Sequence, residues 1–352
     1  MVGLKNERAK AKLIASAAAV LLGISLLVQA SATAAVPTSG KWASRVQTMY
    51  TVSSASHTHW SNGAAKWRNH SNFKLSTATG AAGANYNYYS LDVSRSDVDW
   101  DGLCTRTLDN GFIVKAVLNL NKHYTSDSKY TSSILAGLTG HELGHSLGLQ
   151  HASVAETSSI MHPYTFNSNG TPARALSPSS SDIAVVNSLY PVTKTAAPLS
   201  HSDAAAGSRV VHIEPSWAVY YGDEQALMKA ADLVVKGKVS KEIGSTFAKG
   251  IYTDYNTEIK LQIADVLKGE KAPGEQITVS QMGGFDGDVK VVAKHSTHLQ
   301  EQQEAILFLR QSSDGTYRPI NEDDGIYLLE QGSYTNLGSG KTLNKKLIDA
   351  HN

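Results

Sequence analysis

The chain has 352 residues, with 32 Lys and Arg against 31 Asp and Glu and a net charge of +1, so no basic surface of the kind that binds nucleic acid or anionic membrane is indicated. Its length accommodates two ordinary cores. Cys104 is the single cysteine, which excludes an intrachain disulfide and leaves cores and any bound metal to hold the fold together.

Lys5, Arg8, Lys10 and Lys12, set against Glu7, precede an apolar run from Leu13 to Val28. Two A-x-A patterns follow, Ala30-Ser31-Ala32 and Ala32-Thr33-Ala34. That order predicts a secretory signal peptide over residues 1–34, and hence a secreted, extracellular protein. The apolar run is shorter than the roughly 20 residues of a spanning helix. The leader carries +3 of the total charge, so its removal leaves −2 and no membrane partner is expected.

Residues 35–191 mix helix and strand patterns. Ala64–Asn69 reads as helix, and Phe73–Ser76 and Tyr86–Val93 as strands. Leu103–Leu108 and Phe112–Leu120 are strand-like runs joined by Asp109-Asn110-Gly111, whose Asn-Gly pair is a hairpin signal. Thr131 or Ser132 caps a helix carrying Ile134, Leu135 and Leu138, and Gly148 is placed to end it. Residues 192–209, rich in Ala, Ser, Thr and Lys with Pro198, read as a linker. Residues 210–352 follow as a mostly β accessory domain. Its pattern is a helix at Asp223–Ala231, then strands at Leu233–Val239, Thr253–Val266, Gln276–Ser280, Ala305–Leu309 and Gly325–Leu329. A small antiparallel barrel or sandwich is expected there.

The chemistry is concentrated in His141-Glu142-Leu143-Gly144-His145-Ser146-Leu147-Gly148-Leu149-Gln150-His151. Residues four apart share a helix face, so His141 and His145 can converge on one metal, and the break at Gly148 lets His151 return as a third ligand. Three histidines leave a fourth zinc position open for water, as in catalytic sites. Glu142 projects beside the metal, where it can act as general base.

This segment resembles the signature of the metzincin clan of zinc peptidases. Ser159-Ile160-Met161-His162-Pro163-Tyr164 resembles the clan's methionine turn, which implies that Met161 lies beneath the metal without ligating it. Pro163 and the segment Asp182-Ile183 to Leu189-Tyr190 resemble the matrixins within that clan. The resemblance covers about 36–191. It implies a twisted five-stranded, mostly parallel sheet with one antiparallel edge strand, Leu103–Leu108. An extended protein or peptide substrate would pair with that edge. Tyr164–Ser177 would wall the pocket for the residue after the cleaved bond. The expected activity is zinc-dependent hydrolysis of internal peptide bonds.

No cysteine-switch propeptide is recognisable, and Cys104 lies in the wrong place to supply one. Residues 76–115 contain no histidine, so a second, structural zinc is not expected. In the C-terminal part, Ala231 to Val239 and Val266 to Gly269 resemble netrin and tissue-inhibitor modules, but without their cysteines. A binding or accessory role is therefore expected ahead of an autoinhibitory one. The alternative for the whole chain is a binding or adhesion protein with a vestigial peptidase domain.

Asp97-Val98-Asp99-Trp100-Asp101-Gly102 matches the first half of a calcium loop, although Leu108 stands where a bidentate Glu belongs. Asp97, Asp99 and Asp101 are thus candidate calcium ligands, the alternative being an acidic turn that enters the edge strand. His57, His59 and His70 lack metal-spaced partners and read as solvated surface.

Overall fold

Four strands pair in parallel: β1 (Val46–Thr51), β2 (Lys74–Thr79), β3 (Tyr88–Val93) and β5 (Phe112–Asn121). A fifth strand, β4 (Trp100–Asp109), runs antiparallel to β5, and the order is β2-β1-β3-β5-β4. This is the expected mixed sheet with its antiparallel strand, but β4 is not the expected edge, because a strand from the second half pairs with its other side. Asn110 (φ 50°) and Gly111 (φ 79°) both take the left-handed conformation that a tight β4–β5 hairpin requires. The computed structural model describes residues 36–192, 209–249 and 253–344, so the leader at 1–34 and most of the linker lie outside the described residues.

Helices α1 (His57–Arg68) and α3 (Ser132–Ser146), with the single turn α2 (Lys122–Thr125) between them, cover one face of the sheet. Thr131 Oγ1 accepts the Ile134 amide and caps α3. Trp60 and Trp67 of α1 are fully buried, and Trp67 Nε1 donates to Gly140 O at 2.7 Å. At roughly 25 cal/mol per Å² and about 200 Å² per ring, the two indoles contribute on the order of 10 kcal/mol gross, before ordering costs. Helix α4 (Ser180–Leu189) opens with a capping box between Ser179 and Asp182.

The second half has the expected helix, α5 (Glu224–Ala230), capped by Asp223. Five of its strands match the runs read from sequence: β8 (Leu233–Lys249), β9 (Thr253–Lys268), β10 (Gln276–Met282), β13 (Glu304–Gln311) and β15 (Ile326–Glu330). With β14 (Tyr317–Pro319) and β16 (Ser333–Asn336) they form a seven-stranded sheet, β14-β10-β9-β8-β13-β15-β16, in which β14 also pairs with β13.

Three strands of the second half do not join it. Strand β7 (Val210–Tyr220) pairs antiparallel with the outer edge of β4, and β12 (Val289–Ala293) pairs in parallel with β7. Strand β11 (Gly284–Asp286) then pairs with β12, and β6 (Tyr164–Asn167) lies parallel to β7. The result is one nine-stranded sheet, and Ala35–Asn352 forms one compact unit. The accessory segment read as starting at 210 thus contributes three strands to the sheet of the first half. A shared apolar cluster includes Leu103, Tyr164, Val211, Ile213, Trp217 and Val291.

A buried ion pair spans the β4–β7 junction: Arg106 Nη2 donates to Glu214 Oε1 at 2.9 Å, with the side chains 0% and 1% exposed. Arg106 also donates to Ser39 O and Oγ. Burial raises the Glu214 carboxyl to about 7, against the pull of Arg106. Removing one partner of such a pair leaves a charge buried alone and typically costs about 3–5 kcal/mol. Glu214→Ala should therefore lower unfolding free energy by about that amount in a denaturant titration. A loss below about 1 kcal/mol would mean that β7 is not held against β4 in solution.

Candidate active site

The site is built where α3 passes beneath β4. His141 and His145 stand one helical turn apart, and α3 stops at Gly148, whose φ of +105° is left-handed. A Cβ there would lie 2.3 Å from Gly40 O, so glycine is required by contact as well as by conformation. The chain turns and brings back His151, and ligand atoms of His141, His145 and His151 all lie within 4.8 Å of one another. All three side chains are buried, and among the described residues no other group is arranged to hold a metal.

This donor set fits zinc. His141 Nδ1 lies 2.7 Å from Ile160 O and His145 Nδ1 2.9 Å from Leu149 O, so each ring donates there and turns a lone-pair Nε2 inward. The two Nε2 atoms sit 2.9 Å apart, and with both lone pairs turned inward a shared cation makes that approach favourable. Neither ring nitrogen of His151 has a protein partner. Burial holds all three imidazoles well below their ordinary pKa and so in the neutral, ligating form.

Glu142 is fully buried, and neither carboxylate oxygen has a protein hydrogen-bond partner. Burial pushes its carboxyl well above the ordinary range, opposed by Arg174. The carboxylate lies against the backbone of β4 at Gly102, where a Cβ would fall 2.4 Å from Glu142 Oε1. Gly102 is thus the residue that lets Glu142 reach β4.

Met161 is buried below α3, with its sulfur 2.4 Å from where a Cβ of Gly144 would lie. Asp182 of α4 pins this turn: Ser159 Oγ donates to Oδ1 at 2.7 Å and Ile160 N to Oδ2 at 3.2 Å. Tyr164 donates its hydroxyl to Asp324 Oδ2 at 2.6 Å.

The aspartates expected to share calcium are dispersed instead. Asp97 pairs with Arg95, whereas Asp99 accepts from Arg310 Nε at 2.9 Å. Asp101 is the extra residue of a bulge in β4, because Trp100 faces Trp217 while Gly102 faces Ser216. Its buried carboxylate accepts from Tyr130 Oη at 2.8 Å and Ser216 Oγ at 2.9 Å. Ionic and hydroxyl partners satisfy these three carboxylates, and among the described residues they are not grouped as metal ligands.

Sequence reading missed Arg174. It is buried beside β6, donating from Nε to Tyr164 O at 3.0 Å and from Nη2 to Thr165 Oγ1 at 3.1 Å. Only its place in the wall segment 164–177 was a signal. His295 was missed for want of any pattern: its ring lies stacked on His151, with centroids 5.6 Å apart and planes at 16°.

A zinc metallopeptidase domain of the metzincin type accounts for the mixed sheet, the glycine-broken helix and the methionine packed under it. The family model described as matrixin matches residues 46–191, and this segment is a matrixin-type catalytic domain. No curated protein sequence matches the chain. Among solved structures, high choriolytic enzyme 1, a hatching-enzyme zinc protease from the medaka fish Oryzias latipes, is similar at 14% identity. That match covers 44% of this chain and 94% of the other, with a TM-score of 0.28.

Proposed function

We propose that the protein is a secreted zinc-dependent endopeptidase that hydrolyses internal bonds of proteins or peptides. The observation that carries this reading is the buried His141–His145–His151 set with an unpartnered Glu142 beside it, directly beneath β4. Zinc bound there would lower the pKa of a coordinated water to about 7 and polarise a carbonyl. Glu142 serves as the base that takes a proton from water and passes it to the leaving amine. An extended chain pairing with β4 and β6 in place of β7 would be held along its backbone, which favours internal bonds over free termini. Export rests on the leader sequence at 1–34. Among the described residues no helix is long and apolar enough to cross a membrane.

A casein digest and a mixed peptide library, mapped by mass spectrometry, test the proposal. Cuts within chains should vanish on chelation and return with zinc. Cleavage confined to terminal residues, or unaffected by chelation, would overturn it.

A further inference from the structure

Strand β7 occupies the ground that the peptidase reading assigns to substrate. The groove has two rims, the outer edge of β4 and the wall strand β6, and β7 pairs with both, antiparallel to the first and parallel to the second. Beyond the sheet ladders, Trp217 N donates to Pro163 O at 2.9 Å and Ala218 N to Asp99 O at 3.0 Å, so a single strand bridges the rims. We infer that Val210–Tyr220 is a built-in occupant of the substrate groove, and that the chain is latent until this strand leaves β4 and β6. The inference rests on the endopeptidase reading of the same groove.

Three further observations bear on it. On its side away from β4, β7 is paired by β12 over Val210–Ile213 and by β6 over Trp217–Tyr220, with neither reaching Glu214–Ser216. Pro215, which has no N–H to offer a ladder, falls in that gap. The gap faces the site, since β6 begins three residues after Met161 and His295, two residues beyond β12, lies on His151. At the gap Ser216 is opposite Gly102, the residue under which Glu142 sits.

The Ser216 side chain is fully buried among groups from both rims. Its hydroxyl donates to Asp101 and accepts from Arg174 Nη2. The occupant is therefore seated by a side chain as well as by backbone pairing. A peptide carrying the sequence of residues 210–220 reproduces every one of these contacts and is the natural probe for the vacated groove.

The test uses the full chain with Thr107→Cys and Val211→Cys, a directly opposed pair across β4 and β7 outside the catalytic and pocket residues. Oxidation should join them and reduction free them, so one polypeptide is compared with itself. The reduced form should cleave casein peptides at least tenfold faster than the oxidised form. It should also bind a fluorescein-labelled 210–220 peptide at least tenfold more tightly by anisotropy, with or without zinc. Equal cleavage by the two forms would overturn the proposal while leaving the peptidase reading intact. If neither form cleaves, the peptidase reading fails and peptide binding alone decides, with equal binding, or none, counting against the inference. Failure of the cysteines to join under oxidation would also overturn it, because β7 would not then lie against β4.

Discussion

Glu142→Gln should lower hydrolysis of internal peptide bonds by about 10³-fold or more while one zinc stays bound per chain. The substitution preserves size and removes the base. Neither Glu142 oxygen has a protein partner, so the exchange breaks no hydrogen bond within the fold. Leu138 and the Gly102 backbone, which pack about the carboxylate, meet a side chain of the same shape. Zinc content by atomic absorption and the unfolding midpoint should therefore stay near those of the parent. Residual activity within tenfold of the parent would remove Glu142 from its role as base. Loss of zinc in the same variant would instead move the residue into the ligand set.

His151→Ala should abolish stoichiometric zinc binding, because two imidazoles hold zinc far less well than three. Zinc that binds only the folded chain stabilises it according to RT ln(1 + [Zn]/Kd), about 4 kcal/mol at a thousandfold excess over Kd. In the parent, added zinc should raise the melting temperature, and in His151→Ala that rise should disappear. His151 makes no hydrogen bond through its ring, so the metal-free forms should differ mainly by the lost packing against His141, His145 and His295. Retention of one full equivalent of zinc would exclude His151 as a ligand and leave the buried imidazole pair on α3 in need of another partner.

The three-histidine cluster was legible in the sequence because it is local. Helical spacing sets His141 and His145 on one face, and a glycine able to hold φ at +105° sets the break before His151. The β4–β5 hairpin was legible for the same reason, two adjacent residues that accept positive φ. Strand β6 was read only as a wall segment, because its four residues gain strand geometry by pairing with β7. Strand β7 itself carries Pro215, which ordinarily argues against an interior strand. Its pairing becomes intelligible only once the gap between β12 and β6 is seen.

The acidic run at 97–101 shows the limit from the other side. Spacing alone matched half of a calcium loop, yet the bulge at Asp101 and the distant Arg310 send its carboxylates to separate partners. The sequence by itself determined the histidine cluster, the glutamate beside it and the β4–β5 hairpin, since each depends on residues a few positions apart, whereas the mixed sheet was expected from the family resemblance. Only the tertiary structure decided what lies along the β4 edge. That outcome rests on Arg106 meeting Glu214 across 108 positions and on Ser216 reaching Asp101 across 115. A strand edge left open by its own half of the chain has no local preference for a partner. It is filled by whichever segment can bury its apolar side and satisfy the charges beneath it.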